Sequence, residues 1–226
     1  LRREGPRNLR NHRKFTIADD QWLWSGGRNL AGEYFEGNEE HPRAWLDLSF
    51  DIRGDVAAAA ARQFEHDWSL VSGEAARNIA ALAPSRSGQL AQLLPSGPDQ
   101  REDTAQSLLI GACFRAERRI LAVTPYFVPG DGLQDALRLA ARRGVQVDIA
   151  IPARSNHALA DFVRSRAMRP LARAGVRFRM LPFMAHAKAV VVDDDLAMAG
   201  SINLDQRSLL LNHEAAVVFY EAADIE

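Results

Sequence analysis

Two histidine–lysine pairs with the same downstream spacing are the residues of this sequence best suited to do chemistry. In each copy the pair is followed by an aspartate, a small-residue step and an asparagine at identical offsets: His12, Lys14, Asp19, Gly26, Gly27, Asn29 and His186, Lys188, Asp193, Gly200, Ser201, Asn203. The copies lie 186 minus 12, or 174, residues apart. That separation is too long for a solenoid and indicates two related domains.

The lysines themselves are unusual. Lys14 and Lys188 are the only lysines among 28 basic residues, and each stands two places after a histidine. Arginine is used everywhere else, so these two positions favour a compact ammonium over a guanidinium fork. On a strand, residues two apart project to the same face, so each histidine shares its space with a lysine.

Two facing copies of this motif suit a phosphodiester. One imidazole can attack phosphorus while the other protonates the leaving oxygen. Two ammonium groups, the Asn29 and Asn203 side chains, Ser201 and a helix predicted to start after Gly200 would hold the phosphoryl oxygens. The carboxylates stand at turns or singly on strands, which does not suggest a cation cage. We therefore expect neither a metal nor a cofactor.

Each histidine needs a partner that orients its ring. Asp47 follows the first copy within a largely apolar stretch, and Glu214 follows the second in a comparable place. A carboxylate inside an apolar strand is costly unless it is paired. The hypothesis is therefore that Asp47 orients His12 and that Glu214 orients His186, the alternative being that either carboxylate sits at an exposed sheet position.

The elements that must position these residues are short hairpins within an α/β chain. Apolar segments at 15–18 and 189–192 end in aspartate turns, and each returns as a second strand. Between the copies, a strand at 120–124, a helix at 133–142 and a strand at 145–151 predict a βαβ unit. A helix is expected from residue 158 with a break near Pro170. We assign 1–75 to the C-terminal part of a first domain, 76–98 to a linker and 99–226 to a second domain.

The duplicated motif resembles that of the phospholipase D superfamily, and more closely its bacterial cardiolipin synthase branch. The supporting segments are Arg10–Lys14, Gly26–Leu30 with Glu33-Tyr34, Pro95–Pro98, Thr124–Pro129, and Gly200–Asp205 with Arg207-Ser208. The resemblance implies two α/β/α sandwich domains that share one active site, the first lacking its early strands. It also implies a phosphohistidine intermediate, with His12 as nucleophile and His186 as acid and base, within a catalytic set that includes Lys14, Asp19, Lys188 and Asp193.

Composition and charge limit the kinds of partner that the chain is expected to bind. The chain is 47% hydrophobic with a formal net charge of −1, which disfavours a chain-wide grip on nucleic acid. No apolar run is long enough to span a bilayer, and the lone Cys113 excludes an internal disulfide. The resemblance implies a phospholipid substrate, phosphatidylglycerol foremost, a membrane surface as partner, and a full-length parent at the bacterial inner membrane. We do not expect the isolated chain to have the full activity.

Three functions stay open from the sequence. The first is a phosphatidyltransferase or a phospholipid-hydrolysing phospholipase D, the second is a nuclease on the same core, and the third is a non-catalytic phosphate-binding module. The intact His, Lys and Asn of both copies argue against the third. The near-zero net charge and the aromatic loop at 125–129 argue against the second.

Overall fold

A computed structural model describes residues 9–37, 39, 43–81, 90–100 and 102–225. The strands are β1 (Phe15–Ala18), β2 (Trp22–Gly26), β3 (Ser49–Arg53), β4 (Ala91–Ser96), β5 (Arg119–Val123), β6 (Phe127–Val128), β7 (Gln146–Pro152), β8 (Arg177–Leu181), β9 (Ala189–Val192), β10 (Leu196–Gly200), β11 (Leu204–Asp205) and β12 (Glu214–Phe219). The helices are α1 (Asp55–Ser72), α2 (Thr104–Arg115), α3 (Asp131–Arg142), α4 (Ala158–Arg173), α5 (Gln206–Leu210) and α6 (Ala222–Ile225).

The two motif copies form equivalent three-stranded units. In the first half β1, β2 and β3 make an antiparallel sheet, and in the second half β9, β10 and β12 pair in the same way. The hairpin aspartates Asp19 and Asp193 have positive φ angles of 54° and 52°, which a short polar side chain tolerates better than most. The predicted hairpins are therefore confirmed in both copies.

One seven-stranded mixed sheet carries most of the core. Its strand order is β4-β12-β10-β9-β5-β7-β8, with β5, β7 and β8 parallel and the other pairs antiparallel. Ile120, Val147, Ile149 and Val190 point from one face into a core shared with α2, α3 and α4. The predicted α/β class and the βαβ unit are confirmed.

Within the described residues, the opposite face of this sheet packs against the first half around β12. Val217 of β12 packs in a smaller core with Leu23 of β2 and with Val56 and Ala57 of α1. Farther along the same sheet an open apolar groove of about 320 Å³ is lined by residues of β5, β7, β8 and β9: Leu121, Ala122, Val123, Asp148, Ala150, Arg179, Ala189 and Val191. Packing between the halves is thus concentrated around β2, β12 and α1.

Two sequence expectations need correction. Residues 91–96, assigned to the linker because of the prolines in and around them, form β4 and pair with β12. Pro95 is tolerated because β4 is the sheet edge, where a missing N–H breaks no ladder. Pro170 does not break its helix, since α4 continues to Arg173 around it. None of the helices within the described ranges has the length and apolarity to cross a bilayer.

Arg13 ties the halves together from a buried position. Its side chain is only 2% exposed and makes ion pairs at 2.6 Å with Asp67 of α1 and 2.8 Å with Asp99, which follows β4. The Nε atom donates to the main-chain oxygen of Glu214 at 3.0 Å, and Asp99 also pairs with His213. One guanidinium therefore joins β12, α1 and the segment after β4.

Candidate active site

The two motif histidines are held by reciprocal main-chain exchanges between the halves. The His12 N–H donates to the His213 oxygen at 2.8 Å, and the His213 N–H donates to the Arg10 oxygen at 2.9 Å. In the other copy the His186 N–H donates to the Leu46 oxygen at 2.7 Å, and the Leu46 N–H donates to the Met184 oxygen at 2.9 Å. Each histidine is thus anchored to the segment just before the other half's carboxylate.

The orienting carboxylates are crossed. Asp47 Oδ2 lies 2.8 Å from His186 Nδ1, and Glu214 Oε1 lies 3.3 Å from His12 Nδ1. The hypothesis that Asp47 serves His12 and Glu214 serves His186 is therefore wrong. The physical reason is the main-chain exchange, which brings each histidine beside the partner half's strand rather than its own. Both carboxylate side chains are fully buried, as the argument from pairing requires.

Both lysines bond back to the histidine of their own copy. Lys14 Nζ donates to the His12 main-chain oxygen at 2.7 Å, and Lys188 Nζ donates to the His186 main-chain oxygen. Burial lowers the pKa of Lys188 to about 7, against the opposing attraction of Asp47, and burial likewise lowers the pKa of Lys14. Asp47 and Glu214 both act on each lysine, which places two ammonium groups and two carboxylates in one electrostatic cluster.

His186 is enclosed and neutral at pH 7. Burial lowers its pKa to about 4, the bond to Asp47 opposes that shift, and the charge of Lys188 adds to it. Lys188 Nζ lies 2.6 Å from His186 Nδ1 and 3.0 Å from His186 Nε2. Because Asp47 also contacts Nδ1, the ammonium group cannot donate to both ring nitrogens at once. We assign the ring proton to Nδ1, because the Asp47 carboxylate can only accept. Nε2 then carries the lone pair.

His12 is far more open. Its side chain is 42% exposed, against 10% for His186. Asn212 Nδ2 lies 3.5 Å from His12 Nδ1 and also donates to Glu214 at 3.2 Å, so it supports the same carboxylate. No pattern in the sequence points to this role for Asn212, because its contact depends on the turn between α5 and β12.

The small residues that follow each hairpin pack against the orienting carboxylates Glu214 and Asp47. Ser201 Oγ donates to Glu214 Oε2 at 2.5 Å and accepts from the Ala215 N–H at 3.0 Å. In the first copy a Cβ on Gly27 would stand 2.5 Å from Asp47 Oδ1 and 3.1 Å from Lys188 Cδ. The departure of Gly27 from the serine of the second copy is thus a steric requirement of the Asp47 side chain and the second-copy lysine.

The two motif asparagines support neighbouring hydroxyls. Asn29 Nδ2 donates to the Tyr34 hydroxyl at 2.8 Å, and Asn203 Nδ2 donates to Ser208 Oγ at 3.0 Å. Each asparagine thus reaches five residues ahead in its own copy. Asn203 Oδ1 is buried without a hydrogen-bond partner among the described residues, which leaves an acceptor in the second-copy loop.

The motif aspartates do not join the histidines. Lys188 precedes β9 and Asp193 follows it, so they stand at opposite ends of a four-residue strand. The Asp193 carboxylate accepts from the N–H groups of Glu117, Arg118 and Arg119 at 2.7–2.9 Å. Asp19 is exposed at the equivalent turn after β1. Their assignment as catalytic residues is corrected: Asp193 fixes the turn between α2 and β5.

Aromatic rings close over His186. Tyr34, which is 4% exposed, packs edge-on against His186 with centroids 5.0 Å apart and against Trp45 at 5.1 Å. The Tyr34 hydroxyl lies 3.4 Å from His186 Nε2. The Tyr126 ring is 6.5 Å from that of His186, and its hydroxyl donates to Asn156. Sequence reasoning assigned Tyr34 no role, although its offset from Asn29 matches that of Ser208 from Asn203.

The helix expected to start directly after Gly200 is short and late. A two-residue strand, β11, comes first, and α5 then covers only five residues from Gln206. Within the described ranges, no three His, Cys, Asp or Glu side chains are grouped in a way that could hold a metal ion.

The crossed pairing can be tested on the His186 tautomer. In Asp47→Asn the amide NH₂ can face Nδ1, so we expect the ring proton to move to Nε2. Glu214→Gln, the matched amide change at the equivalent position, should leave the His186 signals in place and perturb those of His12. Ring ¹⁵N chemical shifts at pH 7 report both. An unchanged His186 spectrum in Asp47→Asn would contradict the assignment.

Comparison with known proteins agrees with this geometry. The family described as "Cardiolipin synthase, PLD-like domain" matches residues 109–226. Cardiolipin synthase A of Pseudomonas putida (strain W619) is 39% identical over 212 residues, covering 93% of this chain and 44% of that protein. Cardiolipin synthase A of Pseudomonas entomophila (strain L48) is 36% identical over 217 residues, covering 96% and 45%. The chain thus spans less than half the length of these relatives.

A solved structure extends the likeness to the fold. Phosphatidylserine synthase of Haemophilus influenzae Rd KW20 superposes with a TM-score of 0.67 at 16% identity, covering 93% of this chain and 58% of that one. The superposition spans almost all of the chain and not the second half alone. Since the family model matches residues 109–226, more than half of the chain, the chain belongs to the family of phospholipase D-like domains of cardiolipin synthases.

Proposed function

We propose that this chain supplies the active site of a phosphatidyltransferase that moves a phosphatidyl group between alcohols through a phosphohistidine. The observation that carries the proposal is the crossed cluster in which each half orients the histidine of the other, with Lys14 and Lys188 between the carboxylates. Such a cluster has two imidazoles for one phosphorus and two ammonium groups for its charged oxygens.

In the first step His12 is the nucleophile. Its Nε2 forms a bond to phosphorus, the bond from phosphorus to the leaving alcohol oxygen breaks, and that oxygen takes a proton from His186 Nε2. The exposure of His12 supports this role, because a bulky phosphodiester must reach it. Glu214 on Nδ1 holds the ring so that Nε2 faces the substrate.

His186 must gain the proton that it donates. It is neutral at rest, and a phosphodiester anion beside it favours the protonated form, so its pKa rises when substrate binds. The same anion favours the charged form of Lys188, whose pKa of about 7 would otherwise leave it partly neutral. Substrate binding is thus coupled to proton uptake, which readies the acid only when a phosphate is present.

A phospholipid at a membrane surface is the proposed substrate, with phosphatidylglycerol as donor and acceptor. The loops that build the site also carry exposed apolar side chains: Leu30 at 84%, Phe35 at 54% and Leu46 at 55%. Leu30 follows Asn29, Phe35 follows Tyr34, and Leu46 precedes Asp47. Apolar side chains that flank the site on three segments suit entry of a lipid from a bilayer.

The test uses the full-length gene product with three substrates. Vesicles with labelled phosphatidylglycerol, vesicles with labelled phosphatidylcholine, and labelled single-stranded DNA are incubated separately and the products identified. We expect phosphatidylglycerol to yield cardiolipin and glycerol, with some phosphatidic acid from water. Lys188→Met, which keeps a similar buried volume without charge, should give no product. Cleavage of the DNA without lipid turnover would overturn the proposal in favour of a nuclease.

A further inference from the structure

The two copies differ at the residue that receives the motif asparagine's amide. In the first copy that residue is Tyr34 and in the second it is Ser208, each five residues after its asparagine. The longer Tyr34 side chain brings a hydroxyl within 3.4 Å of Nε2 of the opposite half's histidine, His186. Ser208 Oγ instead stays in its own loop, with Asp205 Oδ2 at 3.4 Å. The site is therefore asymmetric at its two reactive nitrogens.

The direction of the hydrogen bonds at Tyr34 is determined by its partners. Asn29 donates to the phenol oxygen, because an amide NH₂ can only donate. Asp47 holds the ring proton of His186 at Nδ1, so Nε2 carries a lone pair. The Lys188 ammonium lies 3.0 Å from Nε2, and the remaining phenol hydrogen also faces that nitrogen. Burial raises the pKa of Tyr34 well above its usual range, so the hydroxyl keeps that hydrogen at neutral pH.

We propose that Tyr34 binds the oxygen of the entering alcohol and places it on His186 Nε2. This proposal rests on the proposed phosphatidyl transfer. An oxygen about 2.8 Å from both Nε2 and the Tyr34 oxygen fits beside a pair that is 3.4 Å apart, forming a compact triangle. The phenol hydrogen then only has to rotate about its C–O bond, from Nε2 to the alcohol oxygen.

The resulting step balances without another reactant. The alcohol oxygen forms a bond to phosphorus, the bond from phosphorus to His12 Nε2 breaks, and its electron pair returns to that nitrogen. The alcohol proton passes to His186 Nε2. Tyr34 donates a hydrogen bond to the alcohol oxygen throughout and remains protonated. Nε2 of His12 takes phosphorus, and Nε2 of His186, which faces the Tyr34 hydroxyl, takes the proton.

The aromatic packing makes this position rigid. Tyr34 lies edge-on to both His186 and Trp45 at centroid distances of 5.0 and 5.1 Å, and its ring is buried. Edge-on contacts of this kind fix ring orientation as well as burying area. The hydroxyl is therefore placed before any substrate arrives, which lowers the entropic cost of positioning the alcohol.

The experiment separates the two half-reactions in the full-length protein. A phosphatidyl ester of p-nitrophenol has a leaving group that needs no proton, so its release as a burst reports only the attack by His12. The slower steady state reports attack by added glycerol. We expect Tyr34→Phe to keep the burst, to lower the steady-state rate about three- to tenfold and to raise the KM for glycerol, as loss of one hydrogen bond requires.

Tyr220→Phe is the matched control, since it removes a phenol hydroxyl that is bonded to Gln92, just after the end of β12 opposite Glu214. It should change neither the KM for glycerol nor the ratio of burst to steady state. Equal loss of both phases in Tyr34→Phe, or no change in either, would overturn the role of Tyr34. Inversion at phosphorus in the wild-type protein would contradict the covalent step of the proposed function, and the steady-state KM for glycerol would then test Tyr34 alone.

Discussion

Replacing His12 by alanine is expected to abolish transfer and hydrolysis together, by about 10⁴-fold or more, because both products come from the same phosphohistidine. The remaining imidazole cannot substitute, since His186 is enclosed beneath Tyr34 and paired with Asp47. Product formation from labelled phosphatidylglycerol by the full-length variant measures the loss.

The covalent step has its own signature. Two displacements restore the configuration at phosphorus, whereas one direct displacement inverts it, so the wild-type protein should give retention with a phosphorus-chiral substrate. His66→Ala is the control, because it removes an exposed histidine from α1, outside the crossed cluster. Inversion, or substantial turnover by His12→Ala, would contradict His12 as nucleophile.

The second large effect concerns stability. Arg13→Ala is expected to lower the free energy of unfolding by about 3–5 kcal/mol, the cost of leaving buried carboxylates without their partner. Asp99 loses its 2.8 Å ion pair, and the main-chain oxygens of Ser96 and Glu214 lose a donor. Urea unfolding of the full-length protein, followed by its midpoint and slope, measures the change.

A surface ion pair offers the comparison. Arg138 pairs with Asp135 one turn away on α3 with both side chains substantially exposed, so Arg138→Ala should cost well under about 1 kcal/mol. If Arg13→Ala were as mild as Arg138→Ala, the guanidinium would not be what joins the halves. The contrast matters because both changes remove the same side chain and the same charge.

Much of the fold follows from local sequence. Short apolar runs that end in aspartates predict hairpins, because aspartate tolerates the positive φ that a tight turn can require. Asp19 and Asp193 both have a positive φ at these turns. Alternation of strand and helix predicts the parallel pairs around β7. The edge position of β4 cannot be predicted in this way, because a proline such as Pro95 indicates a loop when it is read from sequence. The strand order shows that Pro95 lies on an edge strand, where it does not interrupt the hydrogen bonds of the sheet.

The structure brings the expected histidines, lysines and orienting carboxylates into one cluster, but it pairs them differently from the prediction and leaves Asp193 outside. Asp47 and Glu214 occupy comparable places in a repeat, so the motif by itself does not distinguish a pairing within a half from a pairing between halves. The choice depends on how two sheets dock, which no local pattern encodes. The same limit applies to Asp193, whose bonds reach residues 117–119, distant in sequence and adjacent only in space.

The crossed carboxylates make the orientation of each histidine depend on the docking of the two halves. In a half on its own, the histidine would lack the carboxylate that orients its ring. Under the proposed function, neither half alone would therefore supply a competent nucleophile or acid, and phosphatidyl transfer would begin only after the halves have docked. Gly27 and Ser201 each lie against the carboxylate of their own half, so a change at either would disturb the ring orientation of the opposite half's histidine.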